Sequence, residues 1–380
     1  GRGRAAAGCV AAGMTSPLRT VVVGLEHYHV TGWVETLGLF PDRIEIVGRY
    51  DADPSRAEAL RPNFVDPSLP ECFPESFRAV PFYSEIDTLI RVARPELAIV
   101  TLPNRLAPDA IVQLARAGCH IMSDKPGALD AAGAERTMAA TRASGVKMAV
   151  AFTRRYGTPW QRVARDIADG RLGRLLTSEA IFVTSSVPVR DPRNLIFDRA
   201  EMGGGILHWL GIHDVDLIQW LSGEPIVSLQ AMMATMSSDE IEVEDTISMA
   251  YRLAGGSVGT MHFAYALPRP GGEGYVALRG THASVVISAS GAIEWIGPGS
   301  VENPMRSETT VTDSVRIPGY GAAGALIVAD LLDAIAHDRD PLATAENARD
   351  ALRVVDAAYA SARSGERIEI GREPGSGEQV

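Results

Sequence analysis

Short apolar runs alternate with amphipathic stretches along the first 152 residues, and this order constrains the fold more than any other feature of the chain. The apolar runs predict buried strands at 19–25, 43–53, 96–103, 119–126 and 146–152. The stretches between them predict helices at 29–40, 54–60, 107–119 and 131–143. Strands that alternate with helices need crossover connections, which make the sheet parallel and cover both of its faces. We therefore predict an α/β half with a doubly wound parallel sheet.

The second half of the chain has a different pattern, with helices expected at 159–169 and 206–221. Strands with a period of two residues follow them. In the run 245–253, one face carries the apolar side chains Ile247, Met249, Tyr251 and Leu253. This alternation predicts a half-buried strand.

Further strands continue this second region. Gly255-Gly256 predicts a tight hairpin into the next strand, and more runs follow at 275–280, 283–288 and 292–296. They predict an open, mainly antiparallel sheet, whose exposed face is either an oligomer interface or is covered by the chain's own helices and loops. Two amphipathic helices come last, and the second is expected to stop at Gly365.

The length of 380 residues suggests two domains that share an interface. We expect a tail or leader at 1–13, the first α/β domain at 14–150, and a second α/β domain at 151–380. Lys and Arg number 36 against 47 Asp and Glu, for a net charge of -11. Nucleic acids and anionic membranes favour basic partners, so we expect neither as a partner, and a small metabolite instead.

The cysteines and the hydropathy suggest a cellular setting. Cys9, Cys72 and Cys119 are odd in number and widely spaced, which indicates neither a disulfide framework nor a metal knuckle. A reducing cytoplasm is the simplest compartment for such a chain. No apolar run reaches the roughly 18 residues of a membrane span.

The turn after the first strand is where a doubly wound sheet binds the pyrophosphate of a dinucleotide, through glycines spaced G-x-G-x-x-G. Here the turn reads GLEHYHV, with Gly24 in the first glycine position but Glu26 and His29 in the second and third. A carboxylate there would repel a pyrophosphate unless it turns away or a cation intervenes. Asp51, at the end of the second strand, is placed to accept the ribose 2′-hydroxyl, which favours NAD over NADP.

Two alternatives remain open at this turn. Asp51 could instead be a turn acid or a helix cap before Pro54. Glu26, His27 and His29 could form a small metal cluster, although an ordinary loop is the simpler interpretation and we expect no metal.

Six segments of the chain resemble the Gfo/Idh/MocA family (glucose-fructose oxidoreductase, inositol dehydrogenase and rhizopine catabolism proteins). In order, they are ELAIVTLPN, ARAGCHIMSDKP, AFTRRYGTPW, GRLGRLLTSEA, GGGILHWLGIHDVDLIQWLSG and AAYASARSG. The likeness runs from about Arg19 to Ile370. It implies an N-terminal Rossmann domain and a C-terminal α/β domain with an open sheet for substrate binding and oligomerisation. Members typically oxidise or reduce a hydroxyl of a sugar, polyol or glycoside with NAD(P).

The family's Glu-Lys-Pro motif is matched by Asp124-Lys125-Pro126, which implies that Lys125 is the catalytic lysine and that the Lys-Pro bond is cis. Asp124 and Lys125 are also expected at the cofactor. Independently of the family, an ammonium at the carboxyl end of a parallel strand stabilises the alkoxide that forms as hydride leaves. The alternative is a solvated surface lysine.

A second family motif, Asp-x-x-x-His, is changed in this chain. His213 matches the histidine and is the candidate for proton transfer, but Trp209 stands where the acid belongs. An indole offers stacking on a sugar ring or simple packing. His208 is also a candidate for substrate contact, although a regular helix would put it about 140° round from His213. His213 could alternatively be structural, and the acid matching Asp216 is commonly structural in the family.

The remaining site residues follow from the same resemblance. Thr101, Pro103 and Asn104 are expected at the dinucleotide, whereas Ala107 replaces a frequent family histidine. Substrate contacts are expected from Arg154, Tyr156 and Trp160, with Arg155 beside them. Their alternative is a salt-bridge cluster at the domain boundary. His262 and Tyr265 lie on a predicted strand that could reach the cleft.

These expectations combine into one hypothesis. The chain is expected to be an NAD-dependent oxidoreductase of sugars, polyols or glycosides, in which Lys125 polarises the reacting oxygen and His213 exchanges the proton. Alternatives are an NAD-assisted lyase or glycosidase, and a non-catalytic ligand-binding protein that has lost NAD. We expect a homo-oligomer, a dimer or a tetramer, formed through the open sheet.

Overall fold

A computed structural model describes residues 16–57, 73–298, 305–310 and 317–371. Its first sheet is parallel and has the strand order β3-β2-β1-β4-β5-β6. The strands are β1 (Leu18–Val23), β2 (Ile44–Tyr50), β3 (Phe82–Tyr83), β4 (Leu97–Val100), β5 (His120–Ser123) and β6 (Met148–Val150). The order reverses between β1 and β4, so their carboxyl ends flank the crevice in which such sheets bind ligands. The predicted doubly wound sheet is confirmed.

Helices cover this sheet as the alternation predicts. They are α1 (His29–Leu37), α2 (Glu75–Arg78), α3 (Ile86–Ala93), α4 (Ala107–Arg116) and α5 (Ala131–Ser144); α2 and α3 were absent from the prediction. Asp130 caps α5 by accepting the Gly133 N–H at 2.8 Å. The helix predicted at 54–60 is a 3₁₀ turn, Pro54–Ala57, over its described part, and the rest of that prediction lies outside the described residues.

The second sheet has the order β14-β13-β12-β11-β7-β10-β9-β8-β15. Its strands are β7 (Leu175–Ser185), β8 (Ile226–Ala234), β9 (Thr246–Leu253), β10 (Val258–Leu267), β11 (Gly272–Gly280), β12 (Ser284–Ser288), β13 (Ala292–Ile296), β14 (Arg306–Thr310) and β15 (Ile368–Glu369). Neighbours are antiparallel except β7 and β10, which run parallel. The predicted open, mainly antiparallel sheet is confirmed, although β7, β8, β14 and β15 were absent from the prediction.

The face predicted for β9 is also confirmed, because its alternate side chains from Ile247 to Leu253 are buried and those between them are not. Gly256 closes the predicted hairpin with φ +93°. On the opposite face Met232 is 75% exposed and Val258 is 49% exposed. Within the described residues, this face is therefore open to solvent.

The remaining helices connect the two sheets. They are α6 (Thr153–Tyr156), α7 (Thr158–Ala168), α8 (Val187–Arg190), α9 (Arg199–Met202), α10 (Ile212–Ser222), α11 (Gly321–Ala336) and α12 (Ala345–Ser364), which ends at Gly365 as predicted. A 3₁₀ turn, Leu195–Phe197, precedes α9.

The last two helices pack against both halves of the chain. α11 packs on α1, and α12 lies between α5 and β8. Asp356 of α12 accepts the Ala131 N–H at the start of α5, at 2.9 Å. Residues near the C-terminus thus complete the N-terminal half. None of the helices in the described segments has the length and apolar character needed to cross a bilayer.

Candidate active site

The turn after β1 retains the tight geometry of a dinucleotide turn at its first position. Gly24 has φ +100°, and a Cβ on it would lie 2.5 Å from the Leu102 backbone nitrogen. Thr101 fixes the turn by donating its hydroxyl to the Gly24 carbonyl at 2.7 Å. The buried carboxylate of Asp51 accepts the Leu25 N–H at 2.8 Å and the Asp53 N–H at 3.0 Å. The predicted residues Gly24, Asp51 and Thr101 therefore meet at one turn.

Glu26, in the second glycine position, forms an ion pair with a residue of the turn after β2. Its carboxylate lies 2.8 Å from the guanidinium of Arg56. Arg56 also lies 3.6 Å from Asp51 and 3.6 Å from Asp53. The charge of Glu26 is thus balanced by a cation from the turn after β2.

His29, in the third glycine position, faces Asp124 at the end of β5. His29 Nδ1 and Asp124 Oδ2 are 2.5 Å apart, and Asp124 Oδ1 accepts the Lys125 N–H at 2.9 Å. Burial alone would raise the pKa of Asp124. The charge of His29 and its hydrogen bond to Asp124, with smaller contributions from His27 and Lys125, instead hold the pKa of Asp124 well below its usual range. Two departures from the family pattern, His29 and Asp124, therefore contact each other.

Lys125 lies buried beside this pair, and the Lys125-Pro126 bond is cis, as the resemblance implied. Its Nζ donates to the Trp209 carbonyl and lies 3.5 Å from the centre of the Trp209 ring. Burial lowers the pKa of Lys125 to about 7, although Asp124 opposes the shift. The interpretation of Lys125 as a solvated surface residue is therefore wrong.

Trp209 is 3% exposed and forms an aromatic wall beside Lys125. Its ring centre is 5.0 Å from that of His27 and 5.1 Å from that of His29. It belongs to a π-helical turn, Leu207–Gly211, that precedes α10. Hydrogen bonds in such a turn link residues five apart. The regular-helix angle expected between His208 and His213 therefore does not apply.

His208 and His213 have different environments. His208 Nε2 lies 2.9 Å from the Leu129 carbonyl, and burial lowers its pKa to about 4. This bond does not support the predicted substrate contact of His208. Burial, followed by Lys125 and Arg154, holds the pKa of His213 well below its ordinary value. His213 Nδ1 is buried and has no hydrogen-bond partner among the described residues.

The predicted substrate residues of α6 and α7 separate into two groups. Arg154 pairs with the buried Asp214 and, with Trp160, lines a cavity of about 440 Å³ against the second sheet. Tyr156, in contrast, donates its hydroxyl to Asp330 at 2.8 Å. Tyr156 is therefore a packing residue in this structure, and its placement does not support the predicted substrate contact.

Three further residues that sequence analysis expected near the site, Arg155, Asn104 and Pro103, are buried. Arg155, next to Arg154, forms a buried bidentate ion pair with Asp216, in which its guanidinium nitrogens donate to the two carboxylate oxygens at 2.7 and 2.8 Å. This pair matches the alternative of a salt bridge at the domain boundary. Asn104 is buried and donates to the Met202 carbonyl at 2.9 Å, and Pro103 before it is buried as well. The bond from Asn104 to Met202 joins the first half of the chain to the second.

Some residues around Lys125 were not assigned to the site from sequence. Tyr320 packs edge-on to His29 with ring centres 5.4 Å apart. Tyr265 is a separate case, because the strand prediction already allowed it to reach the cleft: it is buried against Phe197, and its hydroxyl lacks a partner among the described residues. His27 is 4% exposed, and its sequence context suggested only a metal ligand. Tyr320 comes from nearly 200 residues after Lys125, and no local pattern marks such a contact.

Comparison with known proteins identifies two family regions. Residues 18–152 match the model "Oxidoreductase family, NAD-binding Rossmann fold", and residues 160–286 match "GFO/IDH/MocA C-terminal domain". The chain is 30% identical over 174 residues to inositol 2-dehydrogenase of Rhizobium meliloti (strain 1021), covering 45% of this chain and 51% of that protein. It is 25% identical over 221 residues to D-glucoside 3-dehydrogenase of Escherichia coli (strain K12), covering 56% of each. The chain thus spans about half the length of these curated relatives.

Solved structures share the whole fold. A levoglucosan dehydrogenase solved with NADH and levoglucosan has a TM-score of 0.79 at 19% identity, covering 94% of this chain and 100% of that one. An aldose-aldose oxidoreductase from Caulobacter crescentus has a TM-score of 0.74 at 22% identity, covering 93% and 99%. At these identities the likeness concerns the fold alone.

Proposed function

Because the chain belongs to the Gfo/Idh/MocA oxidoreductase family, we propose that it transfers a hydride between NAD and a hydroxyl-bearing carbon of a sugar, polyol or glycoside. The observation that carries the proposal is the buried amine of Lys125 at the carboxyl end of β5, which donates to the Trp209 carbonyl four residues before His213. The names of the dehydrogenase relatives support the substrate class.

The residues of the first turn fit a dinucleotide. Gly24 leaves the backbone open where a Cβ would clash, and Glu26 is neutralised by Arg56. Asp51 uses its carboxylate for two backbone N–H groups and keeps acceptor capacity for a ribose hydroxyl. Arg56 is shared among three carboxylates. It is therefore a poor receptor for the extra phosphate of NADP, which favours NAD.

The proposed reaction divides the work between two side chains. NAD, when bound, accepts or supplies the hydride. Lys125 donates a hydrogen bond to the reacting oxygen and stabilises negative charge as it develops there. His213 accepts the hydroxyl proton during oxidation and returns it during reduction. Trp209 excludes water from one side of Lys125, which strengthens these interactions.

The direct test is calorimetric titration with NAD and NADP, followed by turnover assays that detect NADH with a panel of inositols, aldoses and alkyl glucosides. We expect NAD binding and oxidation of at least one panel member. A chain that binds neither dinucleotide would contradict the proposal.

Asp51→Ala is expected to weaken NAD binding by about 10- to 100-fold, because a hydrogen bond to a charged group is lost. The preference for NAD over NADP should fall with it. Calorimetry with both dinucleotides measures the change. The matched control is Asp53→Ala, which removes a half-exposed carboxylate from the same loop. An unchanged cofactor preference in Asp51→Ala would remove its proposed role.

We also propose that copies of the chain associate through the open face of the second sheet, where Met232 is 75% exposed. Met232→Glu should then shift the assembly toward monomer in sedimentation experiments, because it places a charge in an apolar contact. Met236→Glu is the control, since Met236 is 81% exposed in the loop after β8. A monomeric wild-type chain would refute this interface.

A further inference from the structure

Two imidazoles and one carboxylate converge at the amino-terminal end of α1. His27 and His29 come from the turn after β1, and Asp124 comes from the end of β5. One donor atom from each lies within 4.8 Å of the other two. Glu26, which sequence analysis grouped with the two histidines, is instead paired with Arg56. Asp124 takes its place in the cluster.

The spacing of the donors is close to what a small metal ion needs. Bonds of about 2.0–2.2 Å place the donors of a tetrahedral site about 3.3 Å apart. Asp124 Oδ2 is 2.5 Å from His29 Nδ1 and 3.9 Å from His27 Nδ1, so the two distances lie on either side of that value. Side-chain shifts of under about 1 Å would bring both donor distances to the tetrahedral spacing. Metal binding at His27 Nδ1 would replace the 3.1 Å hydrogen bond that this atom accepts from the His29 N–H.

The cluster is also buried and incompletely satisfied. The side chains of His27, His29 and Asp124 are 4%, 12% and 13% exposed. The ligand atom of His27 is Nδ1, which faces Asp124, and the other ring nitrogen, Nε2, has no hydrogen-bond partner among the described residues. Asp124 Oδ1 is held by the Lys125 N–H, which leaves Oδ2 as the ligand atom.

We propose that His27, His29 and Asp124 bind one divalent transition-metal ion, with Zn²⁺ as the best match. Two imidazoles and a carboxylate suit Zn²⁺ and its first-row neighbours, whereas Ca²⁺ and Mg²⁺ prefer oxygen ligands. Three protein donors leave at least one coordination position for water or for an oxygen of a bound ligand. Such an open site is typical of metals that take part in binding or chemistry.

The test uses the untagged full-length chain, stripped with a chelator and then loaded separately with Zn²⁺ and Co²⁺. We expect one ion per chain by elemental analysis, visible Co²⁺ absorption of a four- or five-coordinate site, and a higher Tm with Zn²⁺. His29→Gln and His27→Gln should each lose the bound ion while keeping the circular dichroism of the wild type. These readouts need neither NAD nor turnover.

His337→Gln is the matched control, because it removes an exposed histidine at the end of α11 and should leave the metal content unchanged. Metal content at the level of a buffer blank after loading would overturn the proposal. Equal binding by the wild type and His29→Gln would overturn it as well, since the ion would then lie elsewhere.

Discussion

Lys125→Met is expected to lower kcat by about 10²–10⁴-fold, the range typical for loss of a positioned acid–base group. Methionine keeps the length and apolar stem of the side chain but removes the amine that faces Trp209. Turnover on the best substrate of the panel measures the effect. Calorimetric NAD binding and Tm show whether the fold and the cofactor turn survive.

The chain provides its own control for this experiment, because Lys147 is its one other lysine. Lys147 lies just before β6 and pairs with the exposed Asp338 at 2.8 Å. Lys147→Met should keep full activity. Turnover of Lys125→Met within tenfold of the wild type would mean that the chemistry lies elsewhere. Arginine supplies nearly all other cations of the chain, but a guanidinium cannot release its proton as an amine does.

Arg155→Met is expected to destabilise the fold by about 3–5 kcal/mol, because it leaves the buried Asp216 without its cation. The two side chains are 6% and 3% exposed and are joined by two hydrogen bonds. Chemical denaturation measures the free energy of unfolding. A loss below about 1 kcal/mol would mean that the pair behaves like a surface ion pair.

Two controls separate charge from packing in that experiment. Arg155→Met combined with Asp216→Leu should recover much of the loss, since no charge is left buried. Arg162→Met breaks an exposed pair with Asp166 and should cost under about 1 kcal/mol.

The stability lost in Arg155→Met should depend on pH. Burial raises the pKa of Asp216, and Arg155 opposes that rise. Without Arg155 the folded-state pKa rises further above the unfolded value of about 3.9. A raised carboxyl pKa means that stability is lost as pH rises, so the deficit should grow above about pH 4.

Much of the fold follows from the sequence because its signals are local. Alternating runs predict β1, β2, β4, β5 and β6, and the face of β9 follows from the period-two spacing that ends at Leu253. β3 has only two residues, too few for a period. β7 and β8 are half-buried and carry mixed side chains, so their sequences give a weak alternation.

The site is less predictable because its contacts join distant segments. The end of the predicted strand locates Lys125, but the sequence around Lys125 gives no sign that the ring of Trp209 covers its amine. The repulsion expected from Glu26 is removed by Arg56, which lies 30 residues later and carries no motif. Tyr156 stands in a family contact segment, yet Asp330 accepts its hydroxyl. Pairings of this kind depend on tertiary packing, which no spacing rule describes.

The packing of the last helices has a consequence for how the chain is made. Trp33 of α1 is covered by Tyr320, with ring centres 4.2 Å apart, and α5 receives its covering surface from α12. During translation, α1 and α5 therefore lack these packing surfaces until α11 and α12 have been synthesised. A fragment ending near residue 150 would leave these surfaces exposed, and exposed apolar surface favours aggregation.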